Sequence, residues 1–365
     1  MDKIKITNHQ LFSLATSIAF GGSVLIVPAL VASIAKQDAW ITSLLTPAFG
    51  IPIIWIYCFL GSQYPDMTLV GIIKKIFGKW IGLIVAGSVV FFYLTIAYHL
   101  PWYIDNFITT QVMPQTPAYI ISSLFVIAVV IALLYGLETF ARASEIIIYF
   151  TSILFFLAMI LVLPNAKIEN IQPVFENGII PILKSSVFLS CFLTFPLITL
   201  MMIYPINLNN ISDGKKSLFK GYLWGAFMIF ITNFMSILVL GSGITAKEQY
   251  PTYLLAKEIN VGIVFTRLEF IIAAVWIVTL FIIGVSFFYA GIVGLTELLK
   301  LQDYKKIVMP LGLIVLVMSE VVFPDTIYQA NWVNFIWTPF SITYGLIVPT
   351  LLLFVFFIKK WISKE

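Results

Sequence analysis

Charge is what this sequence has least of. Asp, Glu, Lys and Arg make up 10% of 365 residues, against 61% for hydrophobic types. A water-soluble domain is about a quarter charged and about half apolar. With a mean hydropathy of +1.03, a chain of this length has no means of hiding its apolar surface from water, so the bilayer must be its solvent. Cysteine is nearly absent. Cys58 and Cys191 lie far apart inside apolar segments and read as small packing residues rather than a disulfide. Histidine is limited to His9 and His99, which excludes a histidine-rich metal site; no metal and no cofactor is expected. The formal net charge of +4 comes from lysines in short loops rather than from a basic domain, so nucleic acid is not an expected partner. P-loop, Rossmann glycine, HExxH and GxSxG patterns are all missing, and an enzyme is not expected. The first apolar run has no small-residue cleavage site after it and reads as a retained helix.

What the chain does have is long apolar runs. A span needs about twenty apolar residues, and ten segments qualify: 10–34, 39–61, 80–106, 118–136, 141–163, 182–205, 219–243, 268–298, 307–324 and 334–358. The reading is an all-α integral membrane protein, one polytopic domain over 1–365. The 32 Phe, 16 Tyr and 9 Trp suit lipid-facing surfaces and interfacial belts. With the N-terminus inside, the inner segments hold Lys3, Lys5, Lys74, Lys75, Lys79, Arg142, Lys215, Lys216, Lys220, Lys300, Lys305, Lys306, Lys359, Lys360 and Lys364, which is 15 of the 21 Lys and Arg. That bias favours an even number of spans with both termini cytoplasmic.

Two loops carry order of their own. Asp66–Trp80 places Leu69, Ile73, Ile76, Phe77 and Trp80 at helical spacing beside three lysines, as in a helix lying at the interface. Pro251–Ile259 is its counterpart. The same tripeptide introduces both, Gln63-Tyr64-Pro65 after the second span and Gln249-Tyr250-Pro251 after the seventh. Gly22 precedes Pro28 by six residues in span 1, as Ser190 precedes Pro196 in span 6. Five spans per half make the second copy inverted, with repeats of approximately 10–163 and 182–358.

The breaks in these two spans are where binding is expected. Gly21, Gly22 and Ser23 lower the cost of leaving helical dihedrals, and Pro28 removes an amide donor. Unwound backbone at membrane depth survives only against protein or a polar cavity, where helix N-termini take a carboxylate and freed carbonyls an amine. Span 6 supplies Ser190, Cys191 and Phe192 ahead of Pro196. The competing reading is that the glycine pair merely permits close packing; Pro28 and the counterpart in span 6 favour binding. In span 8, Ser286, Ala290 and Gly294 form a small-residue stripe, and Tyr289 beside it offers a hydroxyl to a pocket or packs in the contact. Gly221 and Gly225 read as a packing pair. In span 3, Tyr98 is a pocket candidate. His99 is placed to contact ligand, to gate, or to bond a carbonyl freed by Pro101. Glu138, Arg142 and Glu145 surround the turn between spans 4 and 5, with ion pairs open on either side of Arg142.

Several of these stretches together resemble one family. Ile6-Thr7-Asn8-His9-Gln10-Leu11-Phe12 resembles the start of the B subunits of bacterial spore germinant receptors, and Gly21 and Pro28 fit the same first-helix pattern. Tyr135-Gly136-Leu137-Glu138-Thr139-Phe140-Ala141-Arg142-Ala143-Ser144-Glu145 resembles that family's glycine, glutamate, arginine, glutamate signature. Tyr250-Pro251 through Gly262, then Arg267-Leu268-Glu269 and Trp276, resembles its outer loop and eighth helix. The resemblance implies a permease-like subunit of the amino acid–polyamine–organocation superfamily, with a LeuT-like five-plus-five inverted repeat. It also implies a small germinant held at positions matching Gly21, Gly22, Tyr98, Phe192 and Tyr289. Its implied partners are membrane lipids, a membrane A subunit and a C-subunit lipoprotein, in the spore inner membrane. A secondary transporter for an amino acid or similar solute is the alternative.

Overall fold

The computed structural model describes residues 5–208, 210–259 and 267–362; Lys3, Gly262 and Lys364 lie outside them. Regular structure among the described residues is helical, apart from one parallel bridge between Ile6 and Leu208.

The first helix, α1 (Asn8–Gly21), starts at a capping box. Thr7 Oγ1 accepts from the Gln10 amide at 3.1 Å, and Gln10 Oε1 accepts from the Thr7 amide at 3.0 Å. It stops at the glycine pair. The amides of Ser23 and Val24 both donate to the Phe20 carbonyl, at 3.1 and 3.0 Å. The chain becomes helical again as α2 (Val27–Ala35), with Pro28 in its first turn, where a missing amide hydrogen is harmless. Lys36, at φ 51°, ends α2. A single 3₁₀ turn leads into α3 (Ala39–Gln63). The loop 163–178 clasps this corner. Gln37 Nε2 donates to the Pro173 carbonyl (2.9 Å) and to Glu176 (2.7 Å), and the Asp38 carboxylate accepts from the Phe175 amide at 3.1 Å.

The short α4 (Leu69–Phe77) buries Leu69, Val70, Ile72, Ile73 and Ile76 and leaves Lys74 and Lys75 off that face. It lies back on α5 (Lys79–Phe107), which continues as one π turn, Ile108–Val112. One residue, Gly136 at φ 98°, separates α6 (Ala118–Tyr135) from α7 (Leu137–Val162). The break falls there because that dihedral is free of penalty only for glycine.

The sixth apolar segment is interrupted like the first. α8 (Ile179–Leu193) gives way at Thr194 to a 3₁₀ stretch, Phe195–Met202. The 37-residue α9 (Ile211–Lys247) bends at Gly241, and α10 (Pro251–Lys257) follows it as α4 follows α3. Next come α11 (Glu269–Leu298) and α12 (Lys305–Val321). The last stretch is one continuous run of α13 (Thr326–Asn331), α14 (Thr338–Ile342) and α15 (Val348–Ile362). These are joined by π segments at Trp332–Trp337 and Thr343–Ile347.

Glycines set the closest approaches. A Cβ on Gly221 would lie 2.5 Å from the Phe12 carbonyl oxygen, and one on Gly225 would lie 2.7 Å from Ala19 Cβ, so α9 meets α1 almost backbone to backbone. Gly291 and Gly294 bring α11 onto Leu94 and Val90 of α5 in the same way, at 2.6 Å each. Eight helices among the described residues are long and apolar enough to cross a membrane, and the protein is a multi-pass membrane protein. One of the eight, Val27–Gln63, is bent at Lys36 into α2 and α3. Two shorter helices, α1 with 14 residues and α12 with 17, fall outside that count.

Candidate functional site

Proline at helix starts decides which carbonyls are left free here. Pro28 cannot donate to the carbonyl of Val24, four residues back, and Pro196 cannot donate to that of Phe192. The Val24 carbonyl is taken instead by the hydroxyl of Thr252 on α10, at 2.6 Å. Beside Phe192, the Cys191 carbonyl accepts from Ser341 Oγ of α14 at 3.1 Å. Tyr93 reaches across from α5 to the Ile198 carbonyl at 3.2 Å. Thr194 pairs with the Tyr222 hydroxyl of α9 at 2.9 Å. Each interruption is therefore held by side chains from other helices.

Between the two interruptions lies a cavity of about 90 Å³. Gly22 and Ile26 of the first break form one side, and Phe192 and Pro196 of the second form another. His99, Leu100 and Tyr103 come from α5, and Trp276, Leu280, Ile283 and Phe287 from α11. The remaining wall is Trp332, Val333 and Trp337, in the first π segment of the last helix. Apart from the indole nitrogens, the Tyr103 hydroxyl and His99, the lining side chains carry no polar group.

The residues singled out in the sequence divide into two sets. Gly22, His99, Phe192 and Pro196 line the cavity. Gly21, although adjacent to Gly22, turns onto α11, where an added Cβ would come within 2.7 Å of Thr279 Cβ. Ser23 is buried and its hydroxyl points back to the Ala19 carbonyl at 3.4 Å. Ser190 donates within its own helix to Ser186 at 2.8 Å. Cys191 is buried, with its sulfur beside the Val187 carbonyl. Pro28 is buried in the first turn of α2. Tyr98 stacks on the His99 ring, with centroids 4.8 Å apart. Tyr289 packs against Phe140 and Tyr304, at 6.0 and 5.7 Å, and is not among the lining residues.

His99 does not bond a carbonyl freed by Pro101, which would be that of Ala97. Its Nδ1 meets the Thr95 carbonyl at 2.5 Å. The ring is stacked among Tyr98, Phe323 and Trp332. At the turn after α6, Arg142 pairs with Glu138, whereas Glu145 faces His9 at 3.8 Å. The His9 ring also meets the Tyr149 hydroxyl. The Arg142–Glu145 alternative is not formed, because His9 from the start of α1 occupies that side of α7.

The wall from the last helix was not anticipated. Its signal was present, since Asn331, Trp332, Asn334 and Trp337 are polar or amphipathic residues at the edge of an apolar run. The apolar run places a span at 334–358, which leaves Trp332 and Val333 outside it and Trp337 inside it.

This geometry has relatives. Residues 5–325 match the model of a family described as spore germination protein. Spore germination protein KB of Bacillus subtilis (strain 168) is 26% identical over 369 residues, covering 100% of this chain and 97% of that protein. Spore germination protein A2 of the same organism is 22% identical and covers 99% and 98%. Among solved structures, Mhp1, a nucleobase-cation-symport-1 family transporter in a closed conformation with bromovinylhydantoin bound, superposes with a TM-score of 0.69 at 12% identity. The match covers 94% of this chain and 79% of that one. MhsT in complex with L-phenylalanine gives a TM-score of 0.58 at 15% identity, covering 98% and 99%. The fold is that of these transporters, and by the span and completeness of the family match the chain belongs to the spore germination protein family.

Proposed function

We propose that this protein is the membrane subunit of a spore germinant receptor, holding a small germinant in the cavity between its two interrupted helices and signalling the start of germination. The observation that carries the reading is the meeting of the two breaks, at Gly22 and at Phe192–Pro196, on one cavity. Membership of the family and the likeness to transporters with small molecules bound support it.

On this reading the fold is a single domain of ten spans in two inverted halves of five. α1 with α2 forms span 1, and α8 with the 3₁₀ stretch forms span 6. Both termini lie on the spore core side of the inner membrane. The protein is a binding subunit rather than an enzyme, and its partners are an A subunit and a C-subunit lipoprotein. A ligand shifts a two-state protein only through unequal affinity for the two states, so germinant binding must favour one arrangement of the cavity walls.

The second reading is a permease that carries its solute across the membrane, which the same fold serves equally well. Uptake of labelled amino acids by the protein alone in liposomes separates the two. Binding without flux is expected; saturable, solute-specific flux in the absence of partners would overturn the receptor reading.

A further inference from the structure

We infer that the cavity selects an amino acid with a large apolar or aromatic side chain, and that Trp276, Trp337 and His99 read its polar head. The inference rests on the proposal that this cavity is the germinant site. Nine buried side-chain polar atoms among the described residues have no hydrogen-bond partner. Three of the nine, His99 Nε2, Trp276 Nε1 and Trp337 Nε1, belong to residues lining this one cavity. Buried polar atoms are normally paired, and these three, unpaired on residues around one hollow, are the groups left to meet a ligand's polar atoms once a small turn of the rings uncovers them.

Their chemistry is specific. An indole nitrogen only donates. The Thr95 carbonyl only accepts, so the histidine nitrogen 2.5 Å from it, Nδ1, carries the hydrogen. Nε2 of the neutral ring then presents a lone pair. Two donors suit a carboxylate and one acceptor suits an ammonium. The rest of the lining is Ile96, Leu100, Leu280, Phe287 and Trp332 with their neighbours and Tyr103, whose hydroxyl accepts from Gln329 Nε2 at 2.9 Å; no Asp, Glu, Lys or Arg belongs to it. A charged side chain or a sugar would lose water there without compensation. An apolar side chain gains by leaving water.

The test is equilibrium binding to the full-length protein in lipid nanodiscs, with L-phenylalanine, L-leucine, L-alanine, L-lysine and D-glucose as probes. L-phenylalanine or L-leucine should bind at least about tenfold more tightly than L-alanine, with L-lysine and D-glucose weaker still. Phenethylamine and hydrocinnamate, each lacking one half of the head, should each lose about tenfold against L-phenylalanine. Trp276→Phe and Trp337→Phe keep an aromatic ring, although a smaller one, and delete the donor, and each should weaken L-phenylalanine by about tenfold while the protein still melts cooperatively. Binding of L-alanine, L-lysine or D-glucose at or above the affinity of L-phenylalanine would overturn the inference and leave the cavity as a germinant site. If none of the five probes binds to wild-type protein that melts cooperatively, the reading of the site falls with it.

Discussion

Thr252 donates its hydroxyl to the carbonyl of Val24 at 2.6 Å. The first residue lies in a short helix outside the long ones, and the second in the interruption of the first apolar segment. Because Pro28 has no amide hydrogen, the residue four positions after Val24 offers its carbonyl no donor. The bond thus ties the position of α10 to the unwound backbone. Thr252→Val keeps the shape and removes the donor. Leaving a buried carbonyl unpaired costs about 1–3 kcal/mol, and the expected outcome is a lower melting temperature in detergent together with a displaced germinant dose response. An unchanged melt and dose response would show that the bond holds nothing.

Gly21 and Gly22 are expected to respond differently to substitution. A Cβ at Gly21 meets Thr279 Cβ at 2.7 Å and Oγ1 at 2.8 Å, whereas at Gly22 it meets only Ile283 Cδ1, at 3.8 Å. Gly21→Ala should therefore reduce the amount of folded protein, with overpacking of about 1–3 kcal/mol. Gly22→Ala should be tolerated. Gly22→Leu should place its side chain in the cavity and abolish sensitivity to germinant at near-normal abundance. Quantitative blotting beside the dose response reads both effects, and loss of the Gly22→Leu protein itself would assign Gly22 to packing.

This difference also marks how far the sequence could be read. The interruption of span 1 was legible in Gly21-Gly22-Ser23 and Pro28, because glycine and proline act on local backbone. So were the short helices after Tyr64-Pro65 and Tyr250-Pro251. Which side chain faces the cavity was not legible. Successive helical residues point about 100° apart, so a phase error of one residue moves a side chain from a cavity to a neighbour. Tyr98 and His99, like Gly21 and Gly22, differ by that one step. The partner of Glu145 was hidden for another reason. His9 lies on α1, far away in sequence, and only the packing of α1 on α7 brings them together.

Gly345 brings the last helix against the second interruption. A Cβ there would lie 2.2 Å from Phe195 Cβ and 2.8 Å from Phe195 Cα, where the second interruption begins. Neither atom can swing aside as the tip of a side chain does. Gly345→Ala should lower the melting temperature more than an alanine at an exposed position of the same helix, such as Phe354→Ala (63% exposed). Equal melts would show that the two elements separate freely.

Arg142 pairs with Glu138 one turn before it on α7, with 67% and 50% of their side chains exposed. Exposed pairs of this spacing contribute about 0.3–0.5 kcal/mol, so Arg142→Gln should leave the melting temperature nearly unchanged. If germination is lost while the protein remains stable, the residue acts through a partner. A large fall in stability would contradict the ion-pair account.

Trp332 and Trp337 stand within a π segment, and a second π segment lies six residues further along. Each such turn holds one residue more than an α turn. Passing that surplus residue along the rod swivels the intervening portion by about 100° while the rod stays whole. Two of the three indoles that line the hollow are thus mounted on a rod able to re-aim its side chains without any helix leaving its place in the bundle.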